Sequence, residues 1–349
     1  MALGITDNID AVNQFWRDFV QLEPSLKGLS TRDRFDKAND VLKSYFSDIA
    51  LEMSGSPEHE PMEMIFTAHG ALDDFPLVME LTASAPKLQY HQVVAFRQRM
   101  GNPERFAFKM VDNAFELSAE KMSFACEPDG GQVGLFLKFD FDVPYDMRNR
   151  VQNMAYIALD HILGEYDFAV KIGFVEFDAS EEEQQNLVWL PLGQLPTVFD
   201  RFWRDVSGYT GVFPVGEGRS WSGLRAETDA GEILITVHDS AKAVAMRADL
   251  SWATTLRVNV VESELEAVQE VQDEIDAYLE SRREGIMAYS LLEAPFREAV
   301  YYSGDAAKTE QLIRLALQRA GIEQYDLSSE FDPSWQQYFS YAVHVRRDA

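Results

Sequence analysis

Cysteine occurs once in the 349 residues, at Cys126, so no intramolecular disulfide and no multi-thiolate zinc site can be built from this chain. Basic residues are scarce: 31 Lys and Arg stand against 58 Asp and Glu, for a formal net charge of -27. An excess of that size repels phosphate backbones and anionic headgroups, which sets aside nucleic acid and membrane surfaces as direct ligands. No apolar run approaches the roughly 20 residues that cross a bilayer. The opening MALGITDNID lacks the basic-then-apolar order of a secretion signal, so the cytoplasm is the expected compartment. Histidine is sparse too. His59, His69, His91, His161, His238 and His344 show no HxH, HxxxH or HExxH spacing that would put two imidazoles on one metal. No GxSxG elbow is present either, and Cys126 has no histidine close in sequence, so nucleophilic catalysis has no visible motif.

Core material, by contrast, is ample. With 46% hydrophobic and 12% aromatic residues, the chain can bury enough apolar surface to offset its conformational entropy. Its length exceeds what one core usually organises, which points to two or three domains.

Helical spacing opens the chain. Ile9, Val12, Phe15, Trp16, Phe19 and Val20 recur at three- and four-residue intervals over Asn8 to Val20, and a second helix is expected from Asp33 to Leu51 with Thr31 as its cap. Pro61 to Ala68 reads as a buried strand and Leu72 to Ser84 as a helix. Strands follow at His91 to Arg97, Arg105 to Val111, Lys121 to Cys126 and Gln132 to Phe141, then a helix from Tyr145 to Leu163 and a strand from Phe168 to Phe177. The expected class is α+β, with residues 1–178 forming a mixed domain with a mainly antiparallel sheet and flanking helices. Residues 179–223 read as an aromatic, Pro- and Gly-rich connection containing Trp189, Phe202, Trp203 and Trp221. It begins in the acidic run of residues 178–183.

In residues 224–349 strands are expected at Glu232 to Val237 and Leu256 to Val261, and a helix from Glu262 to Ser281. Strands at Ile286 to Leu292 and Arg297 to Tyr302 come next, then a helix at Ala306 to Ala320 and an extended tail from Gln324. That order predicts a ferredoxin-like α/β sandwich with both helices on one face of an antiparallel sheet. Asp332-Pro333-Ser334-Trp335 predicts a turn that starts a short helix and buries Trp335 and Tyr338. Phe15-Trp16-Arg17-Asp18-Phe19 is echoed by Phe202-Trp203-Arg204-Asp205-Val206, with flanks too different for a repeat.

Three patterns carry candidate chemistry. Leu135 to Val143, LFLKFDFDV, is an apolar strand ending in Asp140 and Asp142. It resembles the opening of haloacid-dehalogenase-type phosphatases, where the resemblance implies one carboxylate attacking phosphorus and the other moving protons beside magnesium. Its mid-chain position among antiparallel strands departs from that family, and two aspartates flanking a phenylalanine also arise from strand alternation. Gly211, Gly216 and Gly218 sit in a glycine-rich stretch, but Arg219 stands where a phosphate loop needs lysine and Glu217 adds repulsion, so a plain loop is expected. Finally, Glu262, Glu264, Glu266, Glu270, Asp273, Glu274, Asp276 and Glu280 lie on one helix with no Lys or Arg among them. Repulsion at helical spacing costs stability, so the charge points to a benefit elsewhere, docking of a basic partner, beside the plainer reading of a solvated face.

Phe15-Trp16-Arg17-Asp18-Phe19, Val300-Tyr301-Tyr302-Ser303-Gly304-Asp305 and the terminal Phe331-Asp332-Pro333-Ser334-Trp335-Gln336-Gln337-Tyr338 carry a resemblance to a family of uncharacterised bacterial proteins defined by a domain of unknown function. Some relatives look like fusions to a module similar to the acidic protein inhibitor of ribonuclease E. The resemblance implies no catalytic residue and no cofactor.

The functional expectation is a non-enzymatic binding or regulatory protein that meets a basic protein through Glu264, Glu270, Asp273 and Glu274. The alternative is a metal-dependent hydrolase or phosphatase using Asp140 and Asp142.

Overall fold

The structure, a computed structural model, describes residues 5–109, 116–177, 180, 185–228, 231–260 and 264–345. The chain is α+β, and backbone packing divides it into two units. The first comprises Met1–Ala125, Phe136–Ile172 and Glu176–Pro196. The second comprises Cys126–Leu135, Gly173–Val175 and Thr197–Ala349.

The first unit opens with helices α1 (Ile5–Leu26) and α2 (Thr31–Lys43). Phe15, Trp16 and Phe19 of α1 are buried as their spacing requires. The cap of α2 is Ser30, not Thr31: its side chain accepts from the Asp33 N–H at 3.2 Å. This helix also stops at Lys43 rather than running to Leu51, because Ala50–Ser54 pairs as strand β1 with β2 (Met62–Thr67). Strand β3 (His91–Ala95) lies parallel on the far side of β2, and α3 (Phe75–Ala83) connects them.

Short strands β4 (Ala107–Lys109) and β5 (Glu116–Ser118) pair antiparallel; of the strand expected from Arg105 to Val111, Arg105 instead ends a 3-10 turn that begins at Pro103, and residues 110 and 111 lie outside the described residues. Strands β6 (Met122–Asp129) and β7 (Gln132–Phe139) are followed by α4 (Arg148–Leu163). The expected strand from Phe168 begins instead as helix α5 (Glu165–Lys171), and β8 takes only Ile172–Glu176. The cause is local. Glu165 is fully buried, and its carboxylate accepts the backbone N–H groups of Ala68 (2.9 Å), Gly70 (3.1 Å) and Arg97 (3.1 Å). That arrangement starts a helical turn and pins the ends of β2 and β3 together. β9 (Leu190–Pro191) joins a sheet of order β8-β7-β6-β9.

Helix α6 (Leu195–Asp205) carries the echo of the α1 motif, and both copies are helical with Trp16 and Trp203 buried. A further strand that the sequence reading did not anticipate, β10 (Trp221–Thr228), starts in the last three residues of the expected connection and is paired along its length with β11 (Gly231–His238). Then follow β12 (Trp252–Asn259), α7 (Leu265–Arg282), β13 (Gly285–Glu293), β14 (Phe296–Ser303), α8 (Ala306–Ala320), β15 (Tyr325–Phe331) and α9 (Gln336–Ala342). Residue 262, where the long acidic helix was expected to begin, lies outside the described residues.

The sheet order is β10-β11-β13-β14-β12-β15, with every pairing antiparallel. Strands β12 to β15 with α7 and α8 are the ferredoxin-like sandwich; β10 and β11 extend its sheet beyond β13. The core between helices and sheet contains Leu256, Val258, Val268, Ile275, Tyr301 and Ile313. On the opposite face Trp335 stacks on Tyr302 at 4.0 Å between ring centroids, and its Nε1 donates to Leu250 O at 2.8 Å. Asp332 accepts from the backbone of Gln336 and Gln337 and from the Tyr302 hydroxyl. It starts α9 as a capping turn and seats Trp335 and Tyr338, both fully buried.

Candidate functional site

Two neighbouring features of the second unit combine charge with access: the outer face of α7 and a cleft beneath its inner edge. Helix α7 is held by Val268, Val271, Ile275 and Leu279, all nearly inaccessible. Full burial of each such side chain contributes about 1.5–3 kcal/mol, while a like-charge pair one turn apart costs about 0.2–0.5 kcal/mol. The apolar stripe therefore holds the helix in place despite its acids. Glu264, Glu266, Glu270, Asp273 and Glu274 are exposed. Glu274 pairs with Arg319 at 2.8 Å, and the other four have no ion-pair partner among the described residues.

The remaining acids of α7 are not uncompensated, which corrects the sequence expectation. Arg219, from the glycine-rich loop, forms ion pairs with Asp276 and, at 2.8 Å, with Glu280. Partial burial and the neighbouring acid charge still raise Glu280 above the usual carboxylate range. Arg219 is thus the loop's contribution, a cation supplied across 57 residues of chain to the inward-facing acids of the helix.

Asp276 is 2% exposed and also serves the sheet. The β13–β14 register shifts between Met287 and Tyr289, and such a bulge leaves backbone groups outside the ladder. The Met287 N–H donates to Asp276 Oδ1 at 2.8 Å, and Met287 O accepts from His238 Nδ1 at 2.9 Å. A carbonyl can only accept, so the His238 proton sits on Nδ1 and Nε2 keeps its lone pair, buried and without a partner. Desolvation lowers the His238 pKa and keeps the ring neutral. Trp221 lies flat on it, with centroids 4.1 Å apart and planes 12° apart, and Arg219 stands 5.5 Å from the indole.

Because β10 and β11 run past the two covering helices, the helix-side face of those strands borders an open cleft of about 460 Å³. Trp221, Thr236, Asp273, Met287, Ser290 and Arg297 are among its walls. Arg297 donates from Nε to Gln272 Oε1 at 2.7 Å. Desolvation lowers its pKa against the attraction of Asp273, and desolvation with the Asp276 charge raises that of Asp273 against the attraction of Arg297 and Arg219.

The other carboxylate pair singled out by sequence stands elsewhere, in the first unit. Asp140 is exposed and accepts from Ser123 Oγ at 3.1 Å; Asp142 is exposed and borders a 260 Å³ depression with Lys138 and Arg148. No group of three or more metal-ligating side chains occurs among the described residues. Burial pushes the Cys126 thiol up to about 12, so it is no thiolate at neutral pH. His69 is exposed in a left-handed turn (φ 52°), its N–H donating to Thr67 Oγ1. No described helix is long and apolar enough to cross a membrane. No protein-family model matches the chain, and no curated protein matches it.

Sequence reasoning missed the cleft. Its walls come from β10, β11, α7, β13 and β14, and β10 had no counterpart among the expected strands. A signal was present in Trp221 to Thr228 and Gly231 to His238, two eight-residue β-prone runs that pair antiparallel with each other.

Proposed function

We propose that this chain is a non-enzymatic binding or regulatory protein that presents the acidic face of α7 to a basic protein partner. The observation that carries the reading is a division of labour along one helix. Asp276 and Glu280, which face inward, are met by Arg219, while Glu264, Glu266 and Glu270 face solvent with no cation of their own among the described residues. Glu266 and Glu270 are one turn apart, and so are Glu270 and Glu274, a spacing at which repulsion lowers helix stability without benefit to the fold. Lysine or arginine side chains of a partner relieve that repulsion on docking, and the long-range field speeds encounter. A partner with a nucleic-acid-binding face suits this surface, because such a face is basic over several turns of helix length.

The test is affinity capture from host lysate at low salt. Wild type is compared with Glu264→Lys/Glu266→Lys/Glu270→Lys on α7 and with a control that makes the same charge change at exposed sites of the first unit, Glu58→Lys/Glu63→Lys/Glu120→Lys. A basic protein retained by wild type and control, and lost from the α7 variant, supports the reading. No specific partner for wild type, or equal loss from both variants, refutes it.

A further inference from the structure

We propose that the cleft between α7 and the β10–β11 extension is a binding site for a free α-amino acid, independent of the acidic docking face. Arg297 and Asp273 both border it, carry opposite charges and are both shifted towards their neutral forms by lost hydration. Their charges attract each other across the opening, yet they form no close ion pair with each other or with any described residue, and among the described residues the only hydrogen bond of the Arg297 guanidinium is from Nε to Gln272. Its four remaining N–H donors form the planar fork that matches a carboxylate. Asp273, across the same opening, offers a carboxylate to an ammonium group.

The other walls supply what the body of such a ligand requires. Trp221 is fixed by its stack on His238 and gives a preorganised aromatic face, Met287 is apolar and deformable, and the Ser290 hydroxyl lies in a residue only 5% exposed. The neighbouring Arg219 has both terminal nitrogens engaged by Asp276 and Glu280, so its charge is already matched, and Arg297 is the cleft cation whose terminal nitrogens remain open. A cleft of 460 Å³ falls within the range of small-molecule sites. Opposite unpaired charges select a zwitterion over a simple anion, which Asp273 repels, and over a simple amine, which Arg297 repels.

The test is equilibrium dialysis of the full chain against each of the common α-amino acids at millimolar concentration. Each hit is then compared with its decarboxylated amine and its deaminated acid. Asp273→Asn, at an exposed position, keeps the fold and is expected to weaken the amino acid about tenfold or more while tightening the deaminated acid, which no longer meets a like charge. Arg297→Lys keeps the charge, removes the fork and is expected to weaken both. Binding of no amino acid, or equal binding by wild type and Asp273→Asn, overturns the proposal. Since neither substitution touches Glu264, Glu266 or Glu270, this result is read separately from capture of a protein partner.

Discussion

Replacing Asp276 by alanine should destabilise the second unit by about 2–4 kcal/mol. The Met287 N–H at the bulge loses its 2.8 Å acceptor, and an unsatisfied buried donor costs about 1–3 kcal/mol. Arg219 loses one of two carboxylates; because its side chain is 24% exposed and Glu280 remains at 2.8 Å, that loss is discounted to roughly 1 kcal/mol. For a unit of this size each kcal/mol moves the melting temperature by about 2–4 °C, so a fall of roughly 4–16 °C is expected. Asp276→Asn, which keeps an acceptor for Met287, should lose less. Urea unfolding followed by circular dichroism reads the change as a shifted midpoint at constant slope. Arg219→Ala should also destabilise, and the double variant should be less damaging than the sum by at least about 1 kcal/mol, because the two side chains act on each other. A loss below about 0.5 kcal/mol for Asp276→Ala, or strict additivity with Arg219→Ala, refutes the account of how α7 is tied to the sheet.

Four further outcomes are expected. Glu165→Gln should cost about 2–4 kcal/mol by the same assay, since an amide NH₂ would confront one of three converging backbone N–H groups; a neutral result contradicts the pinning of β2 and β3. Asp332→Ala should cost about 2–3 kcal/mol and shift near-ultraviolet circular dichroism, as Tyr302 and the first turn of α9 lose their acceptor. Burial lowers the pKa of His91, His161 and His238 below the ordinary 6.5. Each takes up a proton on unfolding, so their contribution is complete above that value and is lost as pH falls through it towards their folded pKa; the urea midpoint should drop between about pH 7 and pH 5.5, and a flat profile would contradict this. Magnesium or calcium at millimolar levels should leave the melting temperature unchanged, because Asp142 shares its depression with Lys138 and Arg148; a metal-dependent rise removed by Asp142→Asn would favour a hydrolase.

The C-terminal topology was legible because its signals are regular. Leu265 to Leu279 repeats at helical spacing, the hairpin of β13 and β14 is compact, and Ala306–Ala320 was delimited to the residue by Asp305 and Gly321. The role of Asp332, Trp335 and Tyr338 was legible too, since a capping aspartate and two large aromatics on one turn leave few arrangements. What was hidden depends on long-range contacts. β10 had no counterpart among the expected strands because its flanks carry glycine, and it is a strand because β11 pairs with it over eight residues. Helix α5 depends on Glu165 reaching backbone groups nearly a hundred positions earlier. The acids of α7 were visible, but their sorting into paired and unpaired groups was not, because Arg219 arrives from a loop whose glycines gave no hint of it. Within that sorting, the four residues named for docking divide as well: Glu264 and Glu270 are free, Glu274 holds Arg319, and Asp273 borders the cleft.

The measurement that tests the central claim most directly is the dissociation constant of the captured partner, taken at several salt concentrations for wild type, the α7 triple variant and the first-unit control. The account predicts that the α7 variant binds at least about tenfold more weakly, a loss of about 1.4 kcal/mol, while the control stays close to wild type and the difference shrinks as salt rises. Equal weakening by both variants would contradict it, because attraction would then follow net charge and not the face of α7.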